Sequence, residues 1–516
     1  MAVIGKNVIE HLTTAMYENN NIIFREYIQN SADQIDKAIA TDILTKGEAC
    51  IYIDINAKKR TISVYDNATG ICKDEFAKKL LSIADSDKDR SEDKGFRGIG
   101  RLGGLACCNK LIFASSYQGE PIKSIMVWDA KKLREVINDP KQRPDASNLV
   151  DMVTSFEEEK YDKKEHFFEV KLVDVIEENN ELLDEKSVRK YLQAVAPVPY
   201  QSGFVFRSKI YDYVKDKDFK LDEYKILVNE EQLFKGYTSN LYEGTVEKKT
   251  IYDSITDLEF KEFYSTDNEL LAWMWFGITK YEKQIPALNK MRGIRLRKEN
   301  IQVGNSETMS YPRFFKEPRG NYYFVGEIFA VHNALVPNAR RDYFNINQTC
   351  RIFEEALKPT IYIELYKLYH YANEVKNALT KKAKYVEIQK EFQEKQSSGE
   401  FVDEEDKKSA IEKLEKHKVA AESATKKLGL RSSNADENPV YKRVFETLES
   451  EYKAEEPKKE LIIEEKPEKK YITQTLSKLD KKERKLVSKI YAIIKAILPK
   501  DMAEMVVAKI QEELSK

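Results

Sequence analysis

The stretch FREYIQNSADQID, residues 24–36, reads as an amphipathic helix with Phe24, Ile28 and Ile35 free to face a core. It also sets Glu26, Asn30 and Asp33 four and then three residues apart. Offsets of three and four fall on one helical face, so two carboxylates and an amide stand in a row rather than scattering into solvent. Alone, such a row is what a solvated helix face provides. The stretches that follow it in the chain decide the matter.

At 516 residues the chain exceeds one compact core, and about 150 residues per domain gives about three domains. Lysine plus arginine number 86 against 87 aspartates plus glutamates, a net charge of -1. No whole-chain charge excess therefore announces nucleic acid, although a local basic patch stays open. No apolar run of about 18 residues occurs, and the N-terminus MAVIGKNVIEHL has no basic head, apolar stretch or small-residue cleavage site. The expectation is a cytoplasmic protein with no membrane span. Cys50, Cys72, Cys107, Cys108 and Cys350 are odd in number and form no C-x-x-C pair. That argues against a disulfide framework or a zinc site and for reduced, mostly packed thiols.

Residues 6–40 read as helix, and CIYIDINAKKRTISVYDN, residues 50–67, reads as a hairpin turning at NAKKR. Further strands are expected at KLIFASS, SIMVWDA and HFFEVKLVDV, giving an α+β layer over residues 1–185. A second α/β region, 186–350, carries strand-like FVFRS, KILVN, LLAWMWFGIT, GIRLRKENIQV and YYFVGEIFAV. Charged helices rich in Glu and Lys follow over 351–430, with a break at QSSGE. Residues 431–470 read as a flexible linker with a short helix, taking in LRSSNADENPV and KAEEPKKELIIEEKPEKK. In the last segment, 471–516, Leu476, Leu479, Leu486, Ile490, Ile493 and Ile497 recur at helical intervals, an apolar stripe that needs a partner.

Two further stretches bear on the opening helix. In VYDNATGI, residues 64–71, a strand ends at Asp66 and enters a turn containing Gly70, which holds a carboxylate at the rim of a sheet where it can accept a hydrogen bond from an exocyclic amine. In GFRGIGRLGGLA, residues 95–106, Gly95, Gly98 and Gly100 let backbone amides approach a phosphate closely. Nothing matches G-x-x-x-x-G-K-[ST], and no strand-then-helix unit introduces the glycines as a dinucleotide fold requires. Those two nucleotide folds are therefore disfavoured.

In this order, and within about 100 residues, EYIQNSAD, DNATGI and GFRGIG resemble the three motifs of the GHKL ATPase superfamily: gyrase, heat-shock chaperone, histidine kinase and MutL, with the MORC ATPases as further relatives. The resemblance implies an α+β fold: a GHKL (Bergerat) ATP-binding sandwich, then a transducer-like α/β domain and a helical C-terminal tail. It implies Glu26 as the general base on the attacking water, Asn30 as an oxygen ligand of Mg²⁺ and Asp33 as its support. Asp66 with Gly70 would hold the adenine, while Gly95, Gly98 and Gly100 would line the phosphates. Between the second and third motifs, Ser86 and Lys88 resemble the S-x-K element in the lid of MutL-like members.

The motif departs from D-x-G-x-G at Ala68, where a positive φ would strain alanine by about 1 kcal/mol; a tolerated variant is expected. No Gly-Thr pair has a match near EHFFEVKL, so no threonine is assigned to adenine. LVPNARRDYF, residues 335–344, resembles the middle-domain loop of the large heat-shock chaperone, which implies a γ-phosphate contact by Arg341, with Arg340 as alternative. Lys290 or Arg292, in NKMRGIRLRKEN, could serve instead, as the transducer lysine does in MutL. The function so implied is an Mg²⁺-dependent ATPase that binds ATP to close a homodimeric clamp on a protein or nucleic-acid client. A nucleotide-gated scaffold with little or no turnover is the alternative, and a histidine kinase fits poorly, because only 25 residues precede Glu26 and His11 is the sole histidine among them.

Overall fold

The computed structural model describes residues 5–13, 19–83, 100–398, 401, 404–436, 438–452, 476 and 478–515. The chain divides into two compact units, one running to Tyr366 and the other taking in Lys280–Glu282 and the chain from Lys367 onward. Among the described residues, no helix is long and apolar enough to cross a membrane.

The first unit opens with helices α1 (Asn7–Thr13) and α2 (Ile22–Ala40). The single helix expected over 6–40 is therefore split. The chain turns at Asn19–Asn21, where the Asn19 side chain accepts the Asn21 amide at 2.9 Å and competes with helical hydrogen bonding. The hairpin follows as expected: β1 (Ile51–Asn56) pairs antiparallel with β2 (Thr61–Asp66), Ile51 opposite Asp66. Helix α3 (Lys73–Leu81) comes next, and after a 3-10 turn at Gly100–Ala106 come β3 (Cys108–Ser116) and β4 (Ile122–Asp129). Helices α4 (Ala130–Asn138) and α5 (Ala146–Val153) precede β5 (Thr154–Lys160) and β6 (Phe167–Val175).

Sequence reading did not find β5, TSFEEEK. It is an edge strand paired only to β4, and its side chains are almost all exposed, so it lacks the apolar alternation of a half-buried strand. The sheet also continues past residue 185. After α6 (Glu185–Val195) and α7 (Arg207–Asp216), strand β7 (Ile226–Val228) joins β1 in parallel and β8 (Glu231–Gln232) caps the edge. The eight strands lie in the order β5-β4-β3-β6-β2-β1-β7-β8. Ile51, Ile53 and Ile55 of β1 point to the face covered by α2, whose Phe24, Ile28, Ala32 and Ile35 belong to the same buried cluster. FVFRS is not a strand: Phe204 is buried in a turn, Val205 is exposed, and Arg207 starts α7, its amide bonding to the Phe204 carbonyl.

After the small hairpin β9 (Asn240–Gly244) and β10 (Lys249–Ser254), a second sheet is built from β11 (Asp257–Tyr264), β12 (Leu270–Ile278), β13 (Gly293–Lys298), β14 (Ile301–Val303) and β15 (Val325–Ala330), in the order β11-β12-β15-β13-β14. Trp273, Trp275 and Phe329 fill its core. Glu327 of β15, fully buried, pairs there with both Lys235 and Arg297 and accepts from Tyr237. Helix α8 (Gln348–Lys358), capped by Asn347, follows the loop that leaves β15.

The second unit is helical: α9 (Tyr366–Ser398), α10 (Glu404–Asp436), α11 (Pro439–Glu451), α12 (Lys481–Ile497) and α13 (Lys500–Ser515). LRSSNADENPV is not an open linker. Helix α10 runs through most of it, and Asn438 with Pro439 caps α11, the Asn438 side chain accepting the Val440 amide at 2.9 Å. KAEEPKKELIIEEKPEKK lies outside the described residues. On α12, Leu486, Ile490, Ile493 and Ile497 are 41–73% exposed, while Leu476 is buried. All five cysteines are free thiols, and all but Cys72 are buried.

Candidate nucleotide site

Helix α2 carries the row of polar residues, but that row is not wet. Glu26 is 7% exposed and Asp33 3%, whereas Asn30 is partly exposed. The cause is close packing from two directions. The turn at Gly100–Ala106 lies on α2 so tightly that a Cβ on Gly100 would strike Glu26 Oε2, and the Gly104 amide donates to the Tyr27 hydroxyl at 3.0 Å. Only glycine admits that approach at 100.

From the other side comes Arg341. Its Nε lies 2.6 Å from Glu26 Oε1, and both residues are buried. The loop after β15 delivers it: Pro337 bridges to Phe344, the Asn338 amide bonds to the Tyr343 carbonyl at 2.8 Å, and the Arg341 carbonyl accepts the Gly304 amide at 2.7 Å. Arg341 itself has φ +55°, a conformation that costs a non-glycine residue about 1 kcal/mol or more. Arg340, its neighbour, is exposed. Lys290 is exposed in the turn before β13 and makes no ion pair with Glu26, and Arg292 lies over the Tyr322 ring, 4.4 Å from its centroid.

Asp66 ends β2 and is 1% exposed. One carboxylate oxygen accepts the Ala68 amide at 3.2 Å, and Ser31 of α2 hydrogen-bonds the side chain. The other oxygen, Oδ2, is enclosed and has no partner among the described residues. Burial pushes the carboxyl up to about 7, against the downward pull of Ser31 and the Ala68 amide.

The turn after Asp66 is pinned by residues that the sequence did not flag. Ser115 of β3 accepts the Ile71 amide and donates to the Phe167 carbonyl, both at 2.8 Å. His166 Nδ1 is 2.6 Å from the Ala68 carbonyl, and Thr69 donates to Gln34 of α2 at 3.3 Å. Gly70 has φ +68°, and a Cβ there would collide with the Ser116 carbonyl. Ala68 is absent from the residues with positive φ and is fully buried, so the departure from D-x-G-x-G brings no backbone strain. Ser31 had a faint signal, a small polar residue one turn from Tyr27 on a flank that is otherwise apolar; Ser115 and His166 had none, being brought in by strand pairing.

The fold thus brings Glu26, Gly100 and Arg341 together near the start of α2, and sets Asp66 and Gly70 beside Ser31 and Gln34 further along it, on the stretch that also carries Asp33. Ser86, Lys88, Gly95 and Gly98 lie outside the described residues. Residues 17–160 match the family described as histidine kinase-, DNA gyrase B- and HSP90-like ATPase. This segment is a GHKL-superfamily domain. Curated relatives agree. The chain is 25% identical over 281 residues to the chaperone protein HtpG of Wigglesworthia glossinidia brevipalpis, covering 50% of this chain and 38% of that protein. It is 33% identical over 110 residues to HtpG of Bacillus subtilis, 19% of this chain and 18% of the other. With HtpG of Alkalilimnicola ehrlichii it is 38% identical over 78 residues, 14% of this chain and 12% of that one. The chain spans less than two-fifths of the length of each of these three relatives.

An adenine nucleotide fits the residues present in the GHKL domain. The orphaned, buried Asp66 Oδ2 offers an acceptor to an exocyclic amine. Asn30, partly exposed on α2, is the residue that could offer an amide oxygen to a hard cation.

Proposed function

We propose that this chain is an Mg²⁺-dependent ATPase that uses ATP binding and hydrolysis to close a dimeric clamp on a protein or nucleic-acid client in the cytoplasm. The observation that carries the proposal is the Arg341–Glu26 pair. A cation from the loop behind the second sheet meets the carboxylate in the first motif of a GHKL domain, so the two sheets act on one site. In the reaction, Glu26 accepts a proton from water as the water oxygen bonds to the γ-phosphorus and the bond to the β–γ bridging oxygen breaks, leaving ADP and phosphate. Arg341 would neutralise charge on the transferred group. Asp66 would orient the base, and Asn30 would hold the Mg²⁺, which supplies charge neutralisation on the phosphates when bound.

The pair also has a consequence for timing. While Arg341 holds Glu26, the base and the phosphate cation are engaged with each other. A terminal phosphate offers the guanidinium a second anion, so ATP would free the carboxylate that activates water. That coupling makes ATP a conformational signal as well as a substrate.

A second reading is favoured by the same pair: with one Glu26 oxygen on Arg341 and the other against Gly100, the chain would be a nucleotide-gated scaffold with little turnover. Single-turnover hydrolysis under Mg²⁺ with protein in excess separates the two. Phosphate release in the parent that is lost in Glu26→Ala supports the ATPase. Tight ATP binding with no phosphate release in the parent supports the scaffold and overturns the enzyme.

A further inference from the structure

Arg101 is the residue after Gly100, at the end of the glycine-rich stretch, and the first motif's Glu26 lies directly against that glycine. Its side chain runs to the far end of α3, where Nη2 donates to the carbonyl of Ser82, the residue that ends that helix. Nε is enclosed and has no partner among the described residues. Among the described residues no carboxylate pairs with this guanidinium, and burial alone, with no charged neighbour contributing, pushes it down to about 10.

A structural arginine in this fold looks different. Arg134 on α4 donates to the carbonyls of Leu105 and Cys108 at 2.8 Å and to the Asn109 side chain at 2.6 Å. Arg297 and Arg341 each pair with a buried glutamate. A half-buried cation with an orphaned donor and no counter-ion among the described residues is desolvated without full compensation, and such groups collect at functional sites.

We infer that Arg101 is an anion-binding residue of the nucleotide site, its guanidinium taking a phosphate oxygen of the bound nucleoside di- or triphosphate; this rests on the ATP reading above. The placement and the chemistry agree on phosphate: the residue adjoins the glycine whose backbone meets Glu26, and its planar donors, one of them orphaned, match phosphate oxygens. Arg101 is thus a second cation for the site, supplied from within the GHKL domain itself, whereas Arg341 arrives from the second sheet.

The test is calorimetric titration of the full chain, its Arg101→Met variant and its Arg101→Lys variant with adenosine, ADP and ATP, beside thermal melts without ligand. Methionine keeps the length and removes the charge. Loss of a charge-assisted hydrogen bond predicts about a 10- to 100-fold weaker binding of ADP and ATP by Arg101→Met. Adenosine affinity should stay as in the parent, Arg101→Lys should fall between, and the ligand-free melt of Arg101→Met should be no lower than that of the parent. A parent that binds ADP and an Arg101→Met variant that binds it equally overturns the assignment alone. Equal losses for adenosine and ADP, or a lowered melt, would make Arg101 a structural residue and overturn it too. A parent that binds no adenine nucleotide overturns the ATP reading and this inference with it.

Discussion

Arg341 Nε stands 2.6 Å from Glu26 Oε1, a buried ion pair closed across 315 residues of chain. The opening helix and the loop behind the second sheet therefore share one charge balance. Removing either partner alone leaves the other charge buried without compensation, a loss of about 3 kcal/mol or more, whereas replacing both removes the imbalance. Glu26→Gln and Arg341→Met should each lower the midpoint of denaturant unfolding, and the double variant should recover most of the loss. Losses that simply add would show that the pair does not hold these elements together.

Chemistry separates the same two residues. Glu26→Ala should abolish phosphate release while leaving ATP affinity within a few-fold of the parent, since the base acts on water and not on the nucleotide. Arg341→Ala should lower turnover about 100-fold or more while ADP binding changes little, with Arg340→Ala silent. Undiminished turnover in Glu26→Ala would remove the base from the mechanism.

On the proposed reading, Asp66 would make base recognition proton-linked. Its folded carboxyl is raised to about 7 by burial, so between its ordinary range near 4 and about 7 the ligand-free protein keeps a proton that the unfolded chain has released. The contribution of this group to ligand-free stability is thus present at acid pH and is lost as pH rises through about 7. An amine donating to Asp66 favours the ionised form, so binding expels the proton below that pH. ADP affinity should therefore weaken on going from pH 8 to pH 6, by up to about tenfold per unit once below 7. Asp66→Asn should bind more weakly and flatten the profile; a parent affinity independent of pH over that range would contradict the linkage.

What could be read from the sequence was what chain geometry ties to local spacing. Glu26, Asn30 and Asp33 share a face because a helix repeats every 3.6 residues, and Asp66 stands at a sheet rim because a strand ends there. Gly70 and Gly100 were legible for the same reason, as glycines at a turn and at a close approach. Residues that reach the site by pairing of distant strands carried no such signal, which is why Ser115 and His166 went unseen. Arg341 was legible as a cation for the site but not as the partner of Glu26, because no spacing rule links positions so far apart. Helix boundaries failed where side chains compete with the backbone, as Asn19 does before α2 and Asn438 before α11.

Gly70 tests the turn itself. With φ +68° and the Ser116 carbonyl in the path of any Cβ, Gly70→Ala must both strain the backbone and push on β3. A loss of more than about 1 kcal/mol in unfolding free energy is expected, with ADP binding weakened in the fraction that folds. Ala68→Gly, at a position with no such demand, should leave binding unchanged. Parent-like stability and affinity in Gly70→Ala would mean that the turn does not need its glycine.

The tail addresses the clamp. Helix α12 begins at a capping box, Asp480 accepting the Glu483 amide at 2.8 Å, so it forms on local signals, yet Leu486, Ile490, Ile493 and Ile497 remain exposed along one side of it. Met502 and Met505 of α13 are exposed as well. Exposed large side chains at helical spacing are what a second copy of the same surface would bury, each contributing about 1.5–3 kcal/mol on full burial. A constitutive contact there would raise the effective concentration of the two GHKL domains, so that ATP could close them without a large interface of their own. Removal of residues 471–516 should leave ADP affinity unchanged and make both the mass in light scattering and the specific turnover depend steeply on protein concentration. Leu486→Asp with Ile493→Asp should reproduce that effect in the full chain. Parent and truncated chains that both stay monomeric with no nucleotide, with ADP and with a non-hydrolysable ATP analogue would remove dimerisation from the mechanism and leave the nucleotide-gated scaffold as the better account.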